Sequence, residues 1–192
     1  IWVWEVGSDE SVLIAGQPEE ATISAEIGFE HMIERSVPEW SPDGTQLAWG
    51  EFNLDAWSYQ IMVYNLEDES TEVLITAPPS GFQDVVFYPY PPSWGEGGIV
   101  FIQPSFVSDD NGPVGFREFA TIIDPTDESV IFNGIVTDDE SDGIDAWQWI
   151  DETVLTLAHD DGSWEALDVE SGELSEIEAP EMPAEVDLGE CQ

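Results

Sequence analysis

The stretch VPEWSPDGTQLAW, residues 37–49, decides the fold. Val37-Pro38-Glu39-Trp40 reads as a short strand that ends in a turn. Ser41-Pro42-Asp43-Gly44 supplies that turn, because Pro presets φ while Asp and Gly tolerate the bend. Residues 45–49 then alternate polar and apolar with period two, as a half-buried strand does. After a loop over residues 50–59, residues 60–66 and 71–75 form a hairpin across Glu67-Asp68-Glu69-Ser70. Four strands in about 40 residues is the size of one propeller blade.

The same pattern recurs outward in both directions. The Trp-turn-strand phrase returns as PPSWGEGGIVFI, residues 91–102, and as WQWIDETVLTL, residues 147–157. Its anchors Trp40, Trp94 and Trp149 are 54 and 55 residues apart. The hairpin phrase occurs four times, at residues 1–14, 60–75, 118–132 and 162–177. Each copy is an apolar strand, an acidic Asp/Glu/Ser/Gly turn and a second short apolar strand. A repeat of strand pairs at this period predicts an all-β chain built of four-stranded antiparallel blades, a β-propeller segment. The three Trp anchors are expected at equivalent positions in successive blades. A β-sandwich with similar hairpins is the rival architecture.

Pro38-Glu39-Trp40-Ser41-Pro42-Asp43-Gly44 resembles the repeat phrase of the TolB-like, WD-repeat-like β-propeller family, and the units at Trp94 and Trp149 match it in part. The resemblance implies a propeller of six to eight blades when closed. The residues here supply about three and a half. The expected division is a partial propeller over residues 1–180, with a half blade at 1–14 and blades at 35–76, 82–132 and 144–178. Residues 181–192 read as an acidic tail or linker. The expectation is therefore a part of a longer polypeptide, whose exposed blade faces meet the remainder of its own chain or a protein partner.

Composition narrows the function. Nine Trp, nine Phe and 42% hydrophobic residues support a packed core. No 18-residue apolar run occurs, so direct membrane insertion by a helix is not expected. There are 43 acidic residues against two arginines, for a net charge of −41. Such a surface repels nucleic acid and anionic membranes. High salt, divalent cations, a basic protein partner and plain solubility in an extracellular or periplasmic setting all remain compatible with it. Where cations are this scarce, Arg35 and Arg117 are expected to hold a geometry through bidentate carboxylate pairs. Cys191 is the single cysteine and cannot staple the chain internally.

Candidate chemistry is sparse. No Gly-x-Ser-x-Gly elbow, P-loop, Gly-x-Gly-x-x-Gly or Cys-x-x-Cys occurs, so no catalytic residue and no cofactor site is assigned. His31 and His159 read as surface turn residues. Asp138, Glu140 and Asp142 place oxygens at alternating positions ahead of Gly143, which suits calcium, but the twelfth position is Trp149 rather than Glu. Asp109 and Asp110 form a second, weaker calcium candidate, and solvated turns are the better reading of both. Tyr88, Tyr90 and Trp57 are the candidates for contact with a partner, Tyr88 and Tyr90 lying in the stiff segment Tyr88-Pro89-Tyr90-Pro91-Pro92. The leading expectation is a non-enzymatic binding or assembly module, an acidic extracytoplasmic propeller presenting loops to a protein. The alternative is the propeller of a larger hydrolase, similar to the prolyl oligopeptidase class, or of a glycan-active enzyme, with the catalytic domain outside this segment.

Overall fold

Strands that carry continuous apolar runs, such as Ile99-Val100-Phe101-Ile102, send alternate side chains to opposite faces, so both faces of a sheet are apolar. The computed structural model describes residues 1–4, 10–24, 28–56, 58–77, 91–109, 112–137 and 143–180; residues 23–24, 28–30, 77, 103–109 and 112–117 are described by backbone alone. Among the described residues every regular element is a strand. Two hairpins open the chain: β1 (Trp2–Trp4) with β2 (Ser11–Leu13), and β3 (Thr22–Ser24) with β4 (Gly28–Glu30).

Blade A follows, from β5 (Ile33–Arg35), β6 (Glu39–Trp40), β7 (Gln46–Asn53), β8 (Ser58–Asn65) and β9 (Ser70–Ala77). β5 and β6 are two pieces of one inner strand, paired in turn with the far and near ends of β7. The break falls at Pro38, which has no N–H for the ladder. Ser36 bridges it: its Oγ accepts from Gly50 N at 2.8 Å, and its N donates to Gly50 O at 3.0 Å. The expected loop over residues 50–59 is therefore shorter. β7 runs on through Asn53 because β5 offers it a partner there, and β8 resumes at Ser58.

Blade B is β10 (Ser93–Gly95), β11 (Gly98–Asp109), β12 (Gly112–Ile123) and β13 (Val130–Thr137). Its middle strands are 12 residues each and pair along their whole length, with a bulge between Val107 and Ser108. In sequence, the polar run around Asp109-Asp110-Asn111-Gly112 suggests a long loop over residues 103–117. Residues 103–109 and 112–117 are strand instead, paired out to Asp109 opposite Gly112. Blade C is β14 (Ile144–Trp149), β15 (Val154–His159), β16 (Trp164–Asp168) and β17 (Glu173–Glu176).

Every blade is an antiparallel sheet in simple up-and-down order, and successive blades stack face to face with β6, β10 and β14 adjacent. The chain is thus a β-propeller segment. Alternation assigns the core. Ala48, Phe52 and Ile61 of blade A meet Ile99, Phe101 and Ile123 of blade B. The opposite side chains of blade B, Val100, Ile102 and Ile122, meet Leu155, Leu157 and Leu167 of blade C. On the other face of blade A, Leu47, Trp49 and Tyr64 receive Ile1, Val3 and Ile14 of the opening hairpin. Each fully buried aliphatic or Phe side chain contributes about 1.5–3 kcal/mol, so the two inter-blade layers hold the array together.

Candidate functional site

The three Trp anchors hold one position. Trp40 is registered opposite Leu47, Trp94 opposite Ile99 and Trp149 opposite Leu155. Each partner faces the preceding unit in the array. Their surroundings differ. Trp94 is only 8% exposed, packed in the layer between blades A and B. The Trp149 ring lies on the tight turn of blade B: a Cβ at Gly95 or at Gly97 would overlap it. These two glycines are therefore a packing requirement and not merely a turn signal. Trp40 is 44% exposed.

These inner-strand ends enclose a groove of about 410 Å³. Its walls are Trp40, Trp94, Trp149, Pro42 and Ile150, and its rim carries Glu39, Glu96 and Asp151. It adjoins a second groove of about 670 Å³ through Pro42, Trp94, Gly95 and Glu96, where Asp43, Asp124, Glu152 and Glu170 add further carboxylates. Neither groove is lined by a Lys, Arg, His or Cys.

The carboxylates divide into two kinds. Most turn aspartates cap their own turns. Asp43 Oδ1 accepts from Ser41 Oγ at 2.7 Å and Thr45 Oγ1 at 2.8 Å; Asp151 Oδ1 accepts from Thr153 N at 2.8 Å and Val154 N at 2.9 Å. Asp68, Asp127, Asp161 and Asp168 do the same for Ser70, Ser129, Ser163 and Ser171. These bonds favour the ionised form and hold all six carboxyls below their usual range. Glu34 and Glu39 on the inner strands of blade A behave oppositely. Burial raises both of their pKa values. Glu34 Oε2 is buried with no hydrogen-bond partner. No hydrogen bond or ion pair of Glu39 is found among the described residues. Trp149 Nε1 is likewise buried without an acceptor.

Arg35 holds a geometry, though not as a bidentate fork. Its Nε donates to Glu51 Oε1 at 2.6 Å and its Nη2 to the Gly16 carbonyl at 2.9 Å. The same Glu51 oxygen accepts from Trp49 Nε1 at 2.9 Å, so the carboxylate is shared between a guanidinium and an indole. The Arg117 side chain lies outside the described set. Glu118, buried on β12, accepts from Ile144 N at 2.7 Å and ties blade B to blade C.

The remaining sequence candidates scatter. His31 is an exposed turn residue, 2.7 Å from Asp55. His159 is a correction: it is buried, with Nε2 3.0 Å from Glu165, because β15 continues through it in phase with Leu155 and Leu157. Asp109 ends β11 opposite Gly112, so it belongs to a strand rather than to a loop. Asp110, Asp138, Glu140, Asp142, Trp57, Tyr88, Tyr90 and Cys191 lie outside the described residues. Asp145 shares a hydrogen bond with Asp160, which raises its pKa. Among the described residues no three His, Cys, Asp or Glu side chains gather to hold a metal ion. The groove itself is what sequence reasoning missed. The signal was present: an acidic residue within two positions of each Trp anchor, at Glu39, Glu96 and Asp151.

No family model matches this chain, and no curated protein matches it. Its fold resembles solved structures. An acylaminoacyl peptidase in complex with Z-Gly-Gly-Phe-chloromethyl ketone aligns at TM-score 0.52 and 16% identity, over 76% of this chain and 25% of that one. The Pyrococcus horikoshii acylaminoacyl peptidase aligns at TM-score 0.51 and 18% identity with the same coverage. The β-propeller domain of the Trilobed protease from Pyrococcus furiosus aligns more loosely, at TM-score 0.47 and 17% identity. The chain thus spans a quarter of the peptidases it aligns with, and what it shares with them is the fold.

Proposed function

We propose that this chain is a non-catalytic binding or assembly segment, a TolB-like propeller that presents an acidic, Trp-walled groove to a protein partner in an extracytoplasmic setting. The groove at the meeting of β6, β10 and β14 carries this reading. It has the concavity and the apolar wall of a binding site, but no imidazole, thiol or amine lines it or its neighbour. A hydroxyl there, such as Ser41, is committed to the Asp43 turn.

A second reading is the propeller of a larger hydrolase. It is favoured by the peptidase identity of both solved structures above TM-score 0.5 and by the 25% share of their length that is covered. Assays of peptide and ester hydrolysis separate the two. The 192-residue chain should show no turnover above background. Turnover abolished by a single Ser or His substitution would contradict the binding reading. Turnover confined to a longer polypeptide that carries a Gly-x-Ser-x-Gly domain would establish the second.

A further inference from the structure

We propose that the groove between Trp40, Trp94 and Trp149 receives an arginine-bearing extended segment of a partner protein. This rests on the binding reading above and names its ligand chemistry. Three indoles line the groove, and one of them, Trp40, remains 44% exposed. A carboxylate from each blade lines it too: Glu39 from blade A, Glu96 from blade B and Asp151 from blade C. An anionic occupant would be repelled. A purely apolar one would strip water from those carboxylates without replacing its hydrogen bonds.

A guanidinium satisfies both halves of the site. Its planar face stacks on an indole, and its edge donates to a carboxylate; a lysine ammonium does the second but stacks poorly. Glu39 is exposed and its carboxylate has no hydrogen bond or ion pair among the described residues, so it is available to an arriving cation. The low-dielectric walls focus the negative potential of the chain into the cleft. The continuation into the second groove gives room for several residues rather than one side chain. A metal ion is the poorer fit, because among the described residues no three carboxylates gather closely enough to hold one.

Fluorescence anisotropy with three labelled nonapeptides tests this, alternating Ser with Arg, Lys or Gln, at an ionic strength of about 0.15 M. The Arg peptide should bind more tightly than the Lys peptide, and the Gln peptide should not bind. Trp40→Ala should weaken the Arg peptide roughly 5- to 30-fold, Trp40→Phe should fall between, and Glu39→Gln should also weaken it. Glu72→Gln and Glu173→Gln, on the outer strands β9 and β17, should leave binding unchanged. Thermal melts of each variant confirm that it is folded, which the exposure of Trp40 favours. Absence of Arg-peptide binding overturns the proposal. So does equal binding of the Gln peptide, which would indicate an uncharged apolar occupant. Equal sensitivity to all three carboxylate substitutions indicates diffuse attraction and overturns it as well. So does displacement by calcium beyond the effect of matched sodium. If the peptide fails while the hydrolysis assays stay silent, only the cationic ligand is rejected; turnover by the chain rejects the binding reading itself.

Discussion

Trp94 and Trp40 stand at the same place in successive blades and meet different neighbours. Trp94 is sealed in the layer between two blades, while Trp40 remains 44% exposed. The opening hairpin packs on Leu47, Trp49 and Tyr64 of blade A, and the segment after it bonds to β5 through Gln17 and Gly16. The hairpin's own far face shows Trp2 at 65% and Trp4 at 66% exposure. A repeat sequence therefore specifies where a side chain goes, but the next unit in the array decides what that side chain is worth. The buried copies build the array, and the open copy is the one proposed to bind.

The largest test of that contrast is an alanine series. Trp94→Ala and Trp149→Ala should each cost about 3–5 kcal/mol by urea denaturation, the usual range for emptying an aromatic site in a core. Trp40→Ala should cost less than about 1 kcal/mol. Similar costs at all three positions would erase the distinction between sealed and open copies.

The turns sharpen the comparison at a smaller scale. Gly97→Ala should cost about 1–3 kcal/mol, because its new Cβ would press on the Trp149 ring and the Glu152 carbonyl, and a close-packed layer cannot yield freely. The turn glycine of blade A, Gly44, has open space around its Cβ position and a φ of +71°. Gly44→Ala should therefore cost about 1 kcal/mol from backbone strain alone. Thermal melts of the two variants side by side give the difference.

Much of this architecture was legible in the residues, and the misses have physical causes. The Trp-turn-strand phrase located the inner strands, since Trp, a bend and a period-two strand have few other uses together. The Asp-x-Ser turns were legible too: Asp68-Glu69-Ser70 and Asp127-Glu128-Ser129 each place the middle Glu at positive φ, at 56° and 60°. Strand lengths were not legible. The continuation of β7 to Asn53 depends on β5, where Asn53 pairs with Ile33, and local pattern carries no such information. His159 looked like a turn residue because two aspartates and a glycine follow it, but its phase with Leu155 and Leu157 outweighed composition. The groove is assembled from three blades, so no single window of sequence contained it. Of the calcium and Tyr-Pro candidates only Asp109 falls among the described residues, and it ends a strand.

The most distributed effect is on pH. The folded pKa of each capping aspartate, from Asp43 to Asp168, is depressed by its Ser or Thr hydrogen bonds. Their contribution is present above the unfolded value of about 3.9 and is lost as pH falls through the lower folded values. Glu34 and Glu39 are raised by burial, so their effect has the opposite sign. The native state binds those protons more readily, and stability rises as pH falls through the raised values, completing below about 4.3. Denaturation midpoints between pH 3 and pH 8 should therefore pass through a maximum at mildly acidic pH. Glu39→Gln should flatten its neutral side and Asp151→Asn its acid side.

The most direct measurement is ¹⁹F NMR on the chain labelled with 5-fluorotryptophan, the three anchors assigned by single Trp→Phe substitutions and titrated with a neutral paramagnetic probe. A neutral probe is needed because a net charge of −41 would repel an anion and concentrate a cation. The account predicts strong broadening of the Trp40 resonance, with Trp94 untouched and Trp149 close to it. Equal broadening of all three, or protection of Trp40 together with exposure of Trp94, would contradict it.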